Sequence, residues 1–438
     1  MMSLEARVLS VLGPWRQAPA WRLAYSGGLD STVLLHLLVR IAQRETLPPL
    51  SAFHVHHGLQ AVADAWPTHC QQACERLGIP LEVLRVTVGT GASVERAARD
   101  ARYAALAEKV EEGDVLLMAQ HRDDQAETLL FRLMRGAGVR GLASMAANRP
   151  LGRGNLVRPL LGVAREELAA YARAEGLSWV EDPSNVDTHF ARNFLRQTIL
   201  PSLQAHWPAA SQNIARCAEH LAEAESLLED LARLDLAAAT AGAPLPWLNL
   251  PSLDLSALQA LSPARQRNAL RHWLAPLTRL PDSNHWSGWE DLRDAARDAQ
   301  PVWCLADGQL HRADGRLWWL AGPWLVPPVG LSWKDPSCPL TLPGNGRLEF
   351  LGTAPAGVQA VAYRRGGEVF EMTGRGRRDL KRLLNEARLP GFVRGRLPLL
   401  LCDDRLLAVA NLPGLDGPHD GAWRLHWTPP TNEQGLSW

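Results

Sequence analysis

Between residues 20 and 135 the chain alternates short apolar runs with stretches whose apolar positions recur every three or four residues. The runs Trp21 to Tyr25, Leu50 to Val55, Leu81 to Val88 and Asp114 to Ala119 read as strands. Asp30 to Gln43, Ala65 to Leu77, Ser93 to Glu111 and Asp123 to Arg135 read as helices between and after them. Repeated strand-helix-strand units predict an α/β fold with a parallel, doubly wound sheet and right-handed crossovers. Ligands of such sheets bind beyond the carboxyl ends of the strands, so chemistry is expected in the loops after Tyr25, Val55, Val88 and Ala119.

The pattern changes after Leu200, where Pro201 and Pro208 punctuate the chain and Ala210 to Ala239 has helical periodicity. Leu253 to Ala299 is a second helical region, followed by an expected hairpin over Val302 to Leu320 and a linker around Pro327, Pro328 and Gly330. Beyond Leu340 the runs are short and β-like, with one helix at Asp379 to Arg388 carrying Leu380, Leu383, Leu384 and Ala387 on one face. Three domains are expected: an α/β domain over 1–208, a mainly helical domain over 209–326 and a small α+β domain over 335–438.

A hydrophobic share of 46% and a charged share of 21% in 438 residues exclude disorder as the main mode of action. The 46 basic and 46 acidic residues cancel, so attraction for a polyanion must come from local patches. Only Lys109, Lys334 and Lys381 are lysines, and the other basic residues are arginines, whose planar fork suits phosphate. Six scattered cysteines without a Cys-x-x-Cys pair indicate neither a disulfide framework nor a four-cysteine metal site and fit a reducing cytosol. No leader pattern or long uncharged apolar run is present, so a cytoplasmic location without membrane contact is expected.

The segment Ser26-Gly27-Gly28-Leu29-Asp30-Ser31 lies where the first strand gives way to the first helix. Its glycines let backbone N–H groups approach a phosphate, Ser26 and Ser31 add donors, and the helix N-terminus adds partial positive charge. Asp30 beside an anion either caps the helix or holds a divalent cation. No Gly-Lys occurs, which excludes a Walker loop, and Gly136-Ala137-Gly138-Val139-Arg140-Gly141 follows a helix and so lacks the context of a dinucleotide fingerprint. Asp124 and Glu127, three apart in the first turn of a helix, form a carboxylate pair suited to an amine, or else simply favour that helix terminus. His54, His56 and His57 sit at a strand end, where alternating side chains disfavour a metal cluster and favour nucleotide packing.

Ser-Gly-Gly-x-Asp-Ser after a first strand resembles the pyrophosphate loop of the ATP pyrophosphatase superfamily. Adding His54-Val55-His56-His57-Gly58, Gln120-His121-Arg122-Asp123-Asp124-Gln125-Ala126-Glu127, Glu181-Asp182-Pro183 and Arg192-Asn193-Phe194-Leu195-Arg196, residues 20 to 205 resemble the tRNA(Ile)-lysidine synthetase family. His56 departs from it, since relatives often carry Asp or Asn there. The resemblance implies an adenine nucleotide alpha hydrolase-like fold, with ATP bound by Ser26, Gly27, Gly28, Leu29, Asp30, Ser31, His54, Arg99 and Arg102, and magnesium on Asp30. It implies free lysine on Asp124 and Glu127, with Asp30, Asp124 and Glu127 as the catalytic set. The implied reaction joins lysine to carbon 2 of the wobble cytidine in the CAU anticodon of an isoleucine tRNA, through an adenylated cytidine, releasing AMP and pyrophosphate.

Charge patterning extends this. Thr128 to Arg165 contains seven arginines and no acid, and Val361 to Arg396 contains ten basic and four acidic residues. Each stretch is either a solvated face or an RNA contact, and Arg132, Arg135, Arg192, Arg196, Arg364, Arg365, Arg375, Arg377 and Arg378 are the candidates for tRNA. A tRNA thiolation enzyme and a non-catalytic RNA-binding protein of the same fold are the alternatives. Monomer and homodimer both remain open.

Overall fold

A computed structural model of the chain describes residues 2–58, 61–89, 94–242, 245–280, 283–296, 299–355, 359–372, 376–403, 405–418 and 420–431. It divides into two compact units, 1–227 and 228–438, the division falling inside the helix Ala210–Thr240.

In the first unit, strands β1 (Trp21–Ala24), β2 (Leu50–His56), β3 (Leu81–Arg85) and β4 (Val115–Leu117) lie within two or three residues of the expected runs. So do helices α2 (Leu29–Ala42), α3 (Trp66–Leu77), α4 (Val94–Lys109) and α5 (Arg122–Leu133). Unanticipated additions are α1 (Leu4–Leu12), the hairpin β5 (Asn148–Leu151) and β6 (Gly154–Val157), and helices α6 (Val139–Leu142), α7 (Arg165–Ala174) and α8 (Ala191–Phe194). The sheet order is β3-β2-β1-β4-β6-β5, parallel except for β5. The edge strand β5 carries Pro150 and three exposed residues, so it has no apolar alternation to announce it.

Alternation along each strand produces two cores. Trp21, Leu23, Ala52, Val115, Leu117 and Val157 pack on one face with α1, α2, α3 and α7. Phe53, Leu84, Leu116, Met118 and Leu156 pack on the other with Leu106 of α4 and the adjoining Val110. The helices after β1 and β2 thus share a face, and the helix after β3 takes the other as the chain returns to β4. The switch point lies between β1 and β4, where an open α/β sheet places its ligand.

In the second unit the expected hairpin is a three-stranded meander, Val302–Cys304, Gln309–Ala313 and Arg316–Leu320, because both Ala-Asp-Gly segments reverse the chain. The helical region contributes a strand too: Ser252–Asp254 pairs with Arg316–Leu320 before Asp254 caps the helix Leu255–Gln259. The helices Pro263–Leu274 and Ser287–Asp294 share a core with this sheet. Beyond residue 330 come four- and three-stranded antiparallel sheets, a two-stranded ribbon and the helix Leu380–Glu386, inside the predicted span.

Candidate active site

The turn after β1 is shaped from within. Gly27 has φ +81°, and a Cβ there would lie 2.8 Å from the Sγ of Cys70, so only glycine fits. Ser26 and Ser31 are hydroxyl to hydroxyl at 3.0 Å, and Ser31 donates to the carbonyl of Gly28 at 3.0 Å. Gly28, in extended conformation, caps α2 without a side-chain bond, so the first N–H groups of that helix, beginning with Leu29, have no intrahelical partner. A later segment straps the turn, with the N–H of Val180 donating to the carbonyl of Gly27 at 2.9 Å. Such a nest of amides and hydroxyls suits phosphate.

A cavity of about 360 Å³ opens over this turn, and Ser26, Gly28, Asp30, Ser31, His54 and Arg102 line it. His54 is buried, its Nδ1 2.9 Å from the carbonyl of Tyr25, and burial pushes its pKa down, so the ring is neutral and donates that bond. Burial likewise lowers Arg102, and Arg99 and Arg192 add repulsion. A cation in that setting is matched to a polyphosphate. Arg99 is absent from the lining; its guanidinium lies over the ring of Tyr103, 5.0 Å from the centroid.

Asp30 is in the first turn of α2 but does not cap it. Its Oδ1 is buried without a partner, and its Oδ2 lies 3.6 Å from the Nε2 of His121. An orphaned carboxylate oxygen beside a phosphate-shaped turn fits a divalent cation. Among the described residues no group of three or more His, Cys, Asp or Glu is arranged to hold a metal; His54 and His56 lie in β2 and His57 follows it.

Asp124 and Glu127 occupy one face of α5. Asp124 completes a capping box: its Oδ2 accepts from the N–H of His121 at 3.0 Å, while the Nδ1 of His121 accepts from the N–H of Asp124 at 3.3 Å. Oδ2 of this acid serves the helix terminus, while Oδ1 faces a cation. That cation is Arg196, which donates from Nη2 to Asp124 at 3.0 Å and forks onto Glu127, Nε to Oε1 at 2.6 Å and Nη2 to Oε2 at 2.9 Å. Burial raises the pKa of Glu127, and Arg196 only partly offsets it. Burial opposes charging of His121, but Asp124, Asp30 and Asp123 outweigh it and raise its pKa. His121, passed over in the sequence, thus links the cation-site acid to the carboxylate pair; its place directly before the acids of a helix start was the available signal.

The predicted RNA-contact arginines separate by environment. Arg196 turns inward to the acids. Arg132 donates to the carbonyls of Gly141 at 2.6 Å and Ser144 at 3.0 Å, and Arg158 is buried against Gln120 and Ala146. Arg135 and Arg192 lie over Phe131, 4.8 and 5.9 Å from its centroid. In the second unit Arg364, Arg377 and Arg378 pair with Glu368, Glu371 and Glu386 at 3.7, 3.8 and 2.7 Å, Arg365 is exposed, and Arg375 lies outside the described residues. Arg396, part of the same basic run, is buried against the carbonyls of Trp324, Val326 and Gly344 and holds the fold.

Residues 2–203 match the PP-loop domain, 253–318 the TilS substrate binding domain and 360–427 the TilS substrate C-terminal domain. The chain is 62% identical to the tRNA(Ile)-lysidine synthase of Pseudomonas aeruginosa over 99% of both chains. The chain belongs to the tRNA(Ile)-lysidine synthase family. Similarity to the tRNA(Ile)-lysidine synthase of Alkalilimnicola ehrlichii is 46% identity over 93% of this chain and 92% of that one, and to that of Pectobacterium atrosepticum 41% over 92% and 94%. The PP-loop domain is an ATP-using module, and residues 2–203 contain the residues lining the cavity over the turn as well as Asp124, Glu127 and Arg196. Among the described residues no helix is long and apolar enough to cross a membrane.

Proposed function

We propose that this chain joins lysine to carbon 2 of the wobble cytidine in the CAU anticodon of an isoleucine tRNA, consuming ATP and releasing AMP and pyrophosphate. The observation that carries this reading is that Asp124, paired with the buried Glu127 through Arg196, lines the same crevice as the phosphate-shaped turn, with His121 between Asp30 and Asp124. In the first step the triphosphate lies on Ser26 to Ser31 with Arg102 beside it, and oxygen 2 of the cytidine attacks the α-phosphorus, expelling pyrophosphate. Magnesium on Asp30 would neutralise phosphate charge. The cytidine oxygen now leaves as AMP when the side-chain amine of lysine attacks carbon 2.

Asp124 and Glu127 hold the lysine ammonium for that second step, and the amine must shed a proton before it is nucleophilic. Glu127, its pKa raised by burial, is matched to accept that proton. Catalysis rests chiefly on positioning and charge neutralisation. Residues 1–208 carry the chemistry, while 209–326 and 335–438 grip the tRNA. The thiolation alternative needs an accessible thiolate, and burial pushes Cys70 up to about 12 and Cys74 to about 11. The test is incubation of the chain with ATP, labelled lysine and an isoleucine tRNA bearing CAU; label entering RNA supports the reading, and label remaining wholly free rejects it.

A further inference from the structure

Three guanidinium groups converge on the ring of Tyr103, outside the turn that holds the triphosphate. Arg99 lies 5.0 Å, Arg149 5.1 Å and Arg102 6.0 Å from its centroid. Arg99 and Arg102 share α4 with the tyrosine, and Arg149 arrives from the edge strand β5. Burial pushes the phenol up, but Arg99, Arg158 and Arg102 outweigh it and hold it below its usual range. The cations also oppose one another: after burial, Arg149 and Arg99 depress Arg158, and Arg99 and Arg192 depress Arg102.

Among the described residues, no carboxylate pairs with Arg99, Arg102, Arg149 or Arg158. Like charges gathered at this density mark an anion site. Arg102 belongs to the nucleotide cavity, whereas Arg99 and Arg149 do not line it. Their anion is therefore next to the triphosphate and separate from it.

We propose that Arg99 and Arg149, fixed against the ring of Tyr103, bind a backbone phosphate of the RNA strand beside the reacting cytidine. This rests on the ligase reading above, which requires single-stranded RNA to reach the α-phosphorus over this same rim. Cation–π contact limits the freedom of both arginines, making Tyr103 a positioning residue. Arg149 is exposed on an edge strand, so its replacement leaves the fold intact.

The full-length chain is titrated with tRNA over a range of salt, as wild type, Arg149→Gln, Arg149→Lys and the double variant Arg99→Gln, Arg149→Gln. The slope of log affinity against log salt should fall by about 0.7, the value for one single-strand phosphate contact, in the double variant, by less in Arg149→Gln, and be retained by Arg149→Lys. Tyr103→Phe should bind as wild type and Tyr103→Ala should lose affinity. ATP affinity measured without RNA should be unchanged in Arg149→Gln. An unchanged slope in the double variant overturns the proposal, as does a loss of ATP or pyrophosphate affinity with tRNA binding intact, which assigns the anion to the nucleotide. A lowered slope in a chain that never transfers lysine would keep this site and reject the ligase reading; lysine transfer with an unchanged slope would do the reverse.

Discussion

Arg196 closes a two-point fork on Glu127, and the same guanidinium reaches Asp124 at 3.0 Å, so one internal cation occupies the oxygens assigned to lysine. The carboxylate pair is therefore already shaped for a nitrogen cation, and lysine must share or displace Arg196. Glu127→Gln keeps the shape and removes the charge. Charge-assisted hydrogen bonds contribute about 1.5–3 kcal/mol, so the KM for lysine should rise roughly ten- to a hundredfold. Adenylation of tRNA without lysine should stay within about twofold. Steady-state kinetics with labelled lysine measure the first effect, and transfer of labelled AMP measures the second.

Protonation of Glu127 has opposite effects on binding and stability. Its pKa is raised by burial, so as pH falls lysine affinity should weaken above the ordinary glutamate range. The folded chain holds that proton more tightly than the unfolded chain does. The stability this group contributes is therefore present below the unfolded pKa and lost as pH rises through the folded one. Calorimetric lysine binding and urea melts across acidic pH should show these opposite trends, and both should flatten in Glu127→Gln.

Asp30→Ala removes the acid whose Oδ1 is orphaned beside the turn. AMP formation should fall to background while tRNA affinity stays near wild type, since no arginine assigned to RNA bonds Asp30. Undiminished turnover would remove Asp30 from the reaction.

Gly27→Ala places a Cβ 2.8 Å from the Sγ of Cys70 at φ +81°. Left-handed strain of this kind costs about 1–3 kcal/mol. Melting temperature and ATP affinity should fall together, and thermal denaturation with and without ATP measures both.

Cys70 and Cys74 should resist alkylation at pH 8, because burial holds both thiols protonated, whereas the exposed Cys217, Cys304 and Cys338 should label. Peptide mass spectrometry reads the pattern. Lysine transfer surviving such labelling would separate the activity from thiol chemistry.

The central sheet was legible because β1, β2 and β4 are short, mainly apolar runs that alternate with amphipathic helices. Strand β5 was not, being an exposed edge with a proline. The phosphate turn was legible because Gly27 and Gly28 are covalent constraints visible in one dimension. The fate of Arg196 was hidden: its spacing from Arg192 reads as a basic helix face, yet the wide π-turn Leu195–Ile199 carries it toward α5. In the basic run near the C-terminus, the pairing of Arg364, Arg377 and Arg378 with Glu368, Glu371 and Glu386 and the internal place of Arg396 were not legible from the count of charges alone.

The central claim is that both half-reactions meet in one crevice, and ATP labelled at the α-phosphate tests it most directly. With isoleucine tRNA and no lysine, label should enter the RNA; on adding lysine it should leave as AMP while lysine becomes RNA-bound. Label that never joins the RNA, or a nucleotide product that is ADP, would contradict the account.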